Sequence, residues 1–324
     1  MYVGHELLGF ALVAVAAHAA GWSRERTLAA GLLGFAFGFL PDVDLAYTGF
    51  AVARAMVRTG SVDVFPTTEY VWTRSWVVHR DATHSLVVGA LGVALVTAFA
   101  VGYRRWRAGR RDPSTALAGA VAALGALALV GLAAPASSGL VFATLGLYAA
   151  LGVAFAAAGV RRGLPAAGVA GAAAAGLFTH PFGDVFMGRP PAFGYPLTRS
   201  PPVETVRLFA DPTLNFLALF GIEVALAWAC VLAVALVDGS SVREWVRPRA
   251  ALGAAYGAAV LVVPPPTLDL AYQFSGGALA AGLAVGGVPA LRRRSRSALW
   301  RGAVTALAAL STGLVGYLLA YLLR

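Results

Sequence analysis

Long apolar runs, separated by short connections rich in arginine or proline, set the pattern of this 324-residue chain. They fall at roughly 3–21, 27–41, 85–103, 115–135, 139–160, 164–179, 212–237, 250–264, 270–291 and 302–323. Most approach the ~20 residues that an α-helix needs to cross a bilayer core. The runs 27–41, 164–179 and 250–264 are short, so their ends are expected below the membrane surface. The stretch 45–57 is too short and too interrupted to span, and reads as an interfacial or re-entrant helix. The pattern predicts an all-α fold: a polytopic integral membrane helical bundle of about ten transmembrane helices.

Composition agrees, since 59% of residues are hydrophobic and only 12% are charged. A soluble domain could not hide that much apolar surface. All 25 basic residues are arginine, a bias that with abundant Ala and Gly points to a GC-rich prokaryotic genome. The single Cys230 excludes a disulfide framework and a thiolate metal cluster. AHA at 17–19 imitates a signal-peptidase site, but no basic residue precedes Arg24, so 3–21 is expected to stay as the first helix.

The net charge of +10 is explained by topology rather than by nucleic acid. Seventeen of the arginines lie in clusters at 22–26, 104–111, 161–162, 242–249 and 292–301, which occupy every second connection. The positive-inside rule makes those connections cytoplasmic and puts both termini outside.

That frame gathers the scarce polar side chains on one face. His5 begins helix 1, Asp42 and Asp44 end helix 2 in FLPDVD, HRDATHS (79–85) opens helix 3, and THPFGD (179–184) ends helix 6. Four of five histidines and ten of fifteen carboxylates fall outside. Imidazole and carboxylate at helix ends suit a divalent metal such as zinc. Pro41 stops its helix and leaves both aspartates on a turn, while Pro181 suits the first position of a new helical turn. His180 and Asp184 are four apart and share a face. Asp81 or Thr83 is expected to cap helix 3, with His79 in the preceding loop. Singly, each segment has a plain alternative: a boundary His as an interfacial polar group, or Asp81 as a cap with Arg80 as its ion-pair partner.

Other polar residues read as supporting. His18 lies about 20 Å along helix 1 from His5, near the cytoplasmic side, and reads as structural. HELLG (5–9) lacks the second histidine of a zinc-protease HExxH. Glu223 is deep inside an apolar run, where acids are costly, and Asn215 is two turns earlier. The Pro-rich stretch 189–212 is either a lid or a simple connection.

In order and local sequence, His5, GFLPDVD, HRDATHS and THPFGD resemble the YdjM-like family of membrane-bound metal-dependent hydrolases. The resemblance covers about residues 1–235, leaving 236–324 as additional C-terminal transmembrane helices. It implies metal ligands at His5, Asp42, His79, His84, His180 and Asp184. The ligand order also looks like that of all-helical zinc-dependent phospholipases C, a looser analogy that points to phosphoester chemistry. The expected activity is therefore hydrolysis at the outer membrane face, of a phosphoester or other ester in a lipid or lipid-linked substrate. The expected cofactor is one or more divalent ions, with Zn²⁺ first, which lower the pKa of water from ~15.7 towards ~7. Asp44 or Asp81 is expected to take the proton or orient a ligand His, and Arg80 with Arg74 to hold an anionic group. An ion or metal transporter and a ceramidase-like zinc amidase are the alternatives.

The orientation is testable by thiol labelling of intact cells in a Cys230→Ala background. Ser61→Cys and Ser200→Cys should react with an impermeant reagent, whereas Ser114→Cys and Ser240→Cys should not. The opposite pattern inverts the protein.

Overall fold

The structure is a computed structural model describing residues 3–47, 49–50, 53, 57, 79–134, 139–291 and 295–324. Its described residues form nine α-helices: α1 (Gly4–Ala19), α2 (Arg24–Phe39), α3 (Leu86–Arg107), α4 (Pro113–Gly131), α5 (Gly139–Arg161), α6 (Ala166–Gly183), α7 (Pro212–Asp238), α8 (Ala271–Leu291) and α9 (Arg296–Leu322). Each apolar run has a helical counterpart; 250–264 is a 3-10 helix, Pro248–Leu261. Among the described residues, six stretches are long and apolar enough to cross a membrane: Arg24–Tyr47, α3, α4, α5, α7 and α9. The runs 3–21, 164–179, 250–264 and 270–291 are helical without meeting that standard. The structure thus supplies six spans by length and composition where the apolar pattern suggested about ten. Arg74 lies outside the described residues; of the run 45–57, residues 45–47, 49–50, 53 and 57 are described, and all are helical.

Local chemistry sets the helix ends. Asp112 and Asp211 accept backbone hydrogen bonds from Thr115 (2.9 Å) and Leu214 (2.7 Å), each with proline at the first helical position. The cap of α3 is Ser85, whose hydroxyl accepts from the amides of Val87 and Val88. Neither Asp81 nor Thr83 fills that role, because the chain turns through both before becoming helical at Leu86.

The chain divides into two compact units, one of residues 8–205 and one of residues 1–7 with 206–324. In the first, α3 packs on α4, α5 and α6, and α6 also lies along α2. Phe37, Leu40, Val88, Leu95, Leu145, Tyr148 and Leu177 form its core. The approach of α6 to α2 depends on Gly176, where a Cβ would collide with the backbone of Phe37 and Gly38. Small residues are what allow such helix contact in a membrane, where the hydrophobic effect no longer drives association.

In the second unit, α9 packs on the 3-10 helix Pro248–Leu261 and on α8. Phe216, Phe220, Phe274 and Tyr317 are buried together there. Glu223 is buried, and its Oε2 accepts from the Val3 amide at 3.3 Å, one residue before α1 begins. Asn215 ties down the chain before α7, accepting from the amide of Leu208 at 2.8 Å. Both residues support local structure.

Gly176→Ala should destabilise the detergent-solubilised protein by about 1–3 kcal/mol, the cost typical of overpacking. Gly171→Ala, on the same helix with nothing within 4 Å of its added Cβ, should leave the melting temperature unchanged or slightly raised.

Candidate metal centre

Three segments of the first unit build the site. At Pro41 the α2 helix tightens into a 3-10 turn, Leu40–Asp44, with Asp44 buried and Asp42 partly exposed. This is the turn expected from FLPDVD. His79–Ser85 runs as turns before α3, and His79, Arg80, Thr83, His84 and Ser85 are all buried. The α6 helix continues through Pro181 to Gly183, followed directly by a 3-10 turn at Asp184. His180 and Asp184 therefore share a face as expected, though Pro181 lies inside the helix and begins no new one.

Hydrogen bonds fix which nitrogen of each imidazole carries the proton. His180 Nδ1 lies 2.6 Å from the carbonyl oxygen of Gly38. A carbonyl only accepts, so Nδ1 bears the hydrogen. Thr83 donates its hydroxyl to Asp44 Oδ2 at 2.7 Å, so its oxygen accepts from His84 Nδ1, 3.1 Å away. In their neutral forms, both rings then present a bare Nε2.

Those two Nε2 atoms face each other at 3.1 Å. Asp42 Oδ1 is 3.4 Å from the first (His84) and 3.5 Å from the second (His180). Asp184 Oδ2 is 3.2 Å from His84 Nε2 and 3.6 Å from His180 Nε2. Four electron-pair donors thus converge in a buried pocket, which is unfavourable unless a proton or cation lies among them. A tetrahedral zinc with bonds of about 2.0–2.2 Å separates its ligand atoms by about 3.3–3.6 Å. Three of the five separations fall in that range, and the other two, at 3.1 and 3.2 Å, lie just below it, so the residues fit a divalent ion.

The surrounding groups hold this arrangement. Asp44 Oδ1 accepts from His79 Nδ1 at 2.8 Å, while Oδ2 takes the Thr83 hydroxyl. Asp44 thus fixes both the loop histidine and, through Thr83, the orientation of His84. His79, His84 and Asp42 also offer donor atoms within 4.8 Å of one another, a second grouping able to hold an ion. Burial pulls the His84 pKa down, but hydrogen bonds to Asp184, Asp42 and Asp44 outweigh it and hold it well above the ordinary histidine value. The pocket favours positive charge.

Arg80 is buried, with φ of 67°, and its guanidinium reaches across to the end of α6. Nη2 is 3.0 Å from Asp184 Oδ1, and Nη1 donates to the carbonyls of Asp184 (3.3 Å), Met187 and Arg189 (2.9 Å). Asp81 pairs instead with Arg189 at 3.4 Å, near the surface. Burial raises the Asp81 pKa against the pull of Arg189 and Arg199.

The start of the Pro-rich stretch is a clamp on these residues. The Ala192 amide donates to the Arg80 carbonyl at 2.9 Å, and the Leu86 amide to the Phe193 carbonyl at 3.0 Å. Ser85 donates its hydroxyl to the Tyr195 carbonyl at 2.6 Å. Of the two readings of 189–212, its first part is structural.

The structure thus brings together Asp42, Asp44, His79, Arg80, His84, His180 and Asp184, with Asp81 beside them. His5, buried on the first turn of α1, belongs to the other unit, and His18 lies in the last turn of α1. The sequence reading missed the Thr83 hydroxyl as a link, the Gly38 carbonyl as a partner and Gly176 as the spacer. Glycines at 34 and 38, four apart on one face of α2, were the available signal for a close helix approach.

No curated protein and no solved structure matched the chain. A family model described as YdjM inner membrane protein matches residues 1–263, beyond the 1–235 expected from the motifs. Together with six apolar helices, that match makes this a multi-pass prokaryotic membrane protein. The chain belongs to the YdjM inner membrane protein family.

Proposed function

We propose that this protein is a membrane-bound metal-dependent hydrolase acting on an ester, with a phosphoester first, of a lipid or lipid-linked substrate. The observation that carries the reading is the convergence of His84 Nε2, His180 Nε2, Asp42 Oδ1 and Asp184 Oδ2 with both histidine protons held elsewhere. These four residues would hold the ion, zinc being the expected one. His79, grouped with Asp42 and His84, would serve a second ion. When bound, a divalent ion supplies Lewis acidity and lowers the pKa of water towards ~7.

The protein's own groups then have distinct tasks. His84 and His180 are completely buried, whereas Asp42 is 13% exposed, so water and substrate reach the site from the Asp42 side. Asp44 keeps His79 and Thr83 oriented and is too enclosed to meet substrate. Asp81, half-buried at the rim, is the carboxylate placed to exchange a proton with solvent, and Arg189 beside it can attract an anionic headgroup. We assign the site to the outer face because the arginine clusters lie at the alternate connections. The ten-crossing arrangement with both termini outside belongs to the same proposal.

Metal analysis of detergent-purified protein tests the centre. Wild type should retain about stoichiometric metal, and His84→Ala, Asp42→Asn and Asp184→Asn should each lose it. His18→Gln and Glu223→Gln should retain it. Full retention in both aspartate variants would sink the site.

Removing a supporting hydrogen bond should have a graded effect. Thr83→Val should lower metal affinity by about 10–100-fold, the usual cost of losing a group that orients a ligand. Unchanged affinity would mean that Thr83 does not orient His84.

Activity separates the enzyme from the transporter. Hydrolysis in a screen of phospholipids and lipid-linked phosphates should disappear with a chelator, return with Zn²⁺, and be absent in Asp42→Asn. Metal flux into proteoliposomes without hydrolysis of any substrate would favour transport, and cleavage of an amide-linked lipid alone would favour the amidase.

A further inference from the structure

Arginine beside a metal centre is ordinarily assigned to the substrate anion, and Arg80 invites that assignment. Its geometry points elsewhere. The guanidinium is buried, and both terminal nitrogens are committed: Nη2 to Asp184 Oδ1 at 3.0 Å, Nη1 to the carbonyls of Asp184, Met187 and Arg189. Binding a phosphate there would require breaking an ion pair that is 9% exposed on one side and 3% on the other. Removing one partner of such a buried pair is strongly destabilising.

The division of labour on Asp184 is the informative part. Oδ1 faces Arg80, whereas Oδ2 faces His84 Nε2 and His180 Nε2 at 3.2 and 3.6 Å. A carboxylate free to rotate can offer both oxygens to an ion. Here one oxygen is occupied by a charge-assisted hydrogen bond, stronger than a neutral one. The same guanidinium holds the Asp184 backbone through its carbonyl, so the residue is fixed at two points. Gly188 lies between two of these carbonyls, those of Met187 and Arg189, with φ of 65°, a left-handed conformation that favours glycine. Arg80 itself takes a left-handed φ of 67°, an uncommon conformation for a side chain of its size, stabilised by the Ala192 amide on its carbonyl.

We propose that Arg80 is a positioning residue that restricts Asp184 to one-oxygen ligation, holding the centre at four protein donors. This rests on the proposed metal centre. It also leaves recognition of an anionic substrate to other residues. Arg189 is the placed candidate, its side chain being 43% exposed and paired with Asp81 near the surface.

The test uses Co²⁺ alone as probe on full-length protein in detergent, because the visible absorption of Co²⁺ is more intense in four-coordinate than in higher-coordinate sites. Wild type should bind Co²⁺ with an intense band. Arg80→Lys keeps the charge but cannot supply two forked nitrogens. It should bind Co²⁺ about 10–100-fold more weakly, with a weaker band as Asp184 swings to offer both oxygens. Gly188→Ala, which strains the left-handed position between the Met187 and Arg189 carbonyls that hold the guanidinium, should change the band in the same direction and serves if Arg80→Lys does not fold. Arg80→Lys, or failing that Gly188→Ala, with wild-type affinity and spectrum would overturn the proposal. Wild type that binds no Co²⁺ and no Zn²⁺ would instead overturn the metal centre itself.

Discussion

The structure depends on four electron-pair donors being held together in a largely buried pocket. Two imidazole nitrogens 3.1 Å apart, with a carboxylate oxygen on either side, repel one another unless positive charge lies between them. The surrounding fold can be read as the restraint that keeps them from separating. Gly176 lets α6 approach α2 closely enough for His180 to reach a backbone carbonyl there. The turns of 79–85 are tied by Asp44 on one side and by the backbone of 192–195 on the other. Arg80 joins the second of these restraints to Asp184. The restraint is built mostly from hydrogen bonds, because in a membrane-spanning bundle apolar contact alone discriminates weakly between protein and lipid.

Much of this was legible in the sequence, for identifiable reasons. Apolar runs report helices well because a bilayer demands them, and every run from 3–21 to 302–323 became helical. The i, i+4 spacing of His180 and Asp184 and the proline before Asp42 are local rules, so they survived folding. The number of spans is a separate question from the number of helices, since short runs such as 164–179 form helices whether or not they cross. The cap of α3 was misplaced because Asp81 and Thr83 are favourable cap residues by type, yet tertiary partners claimed them. Thr83 turns to Asp44, and Asp81 turns to Arg189.

What sequence could not show is which donor meets which acceptor across long separations. Arg80 and Asp184 are 104 residues apart, and the pairing of an arginine with a ligand aspartate looks no different in sequence from an arginine awaiting substrate. The same applies to Glu223, which reads as a supporting residue in sequence but whose bond to the Val3 amide, 220 residues away, only the fold reveals. A buried acid inside an apolar run has to find some donor, and the start of a helix, with its unpaired amides, is the readiest source.

The hydrogen bond from His180 to Gly38 ties two distant motifs into one unit. In a 3-10 turn, the carbonyl of residue 38 would take its hydrogen from the amide of residue 41. Residue 41 is proline and has no such hydrogen. The ring at which the helix tightens therefore also leaves open the acceptor that sets the proton on an imidazole 142 residues away. Pro41 makes no contact with an ion, yet it helps decide which nitrogen of His180 faces one. The PDVD and THPFGD segments should accordingly vary together or not at all, and the chemistry of the first aspartate is inseparable from the tautomer of the last histidine.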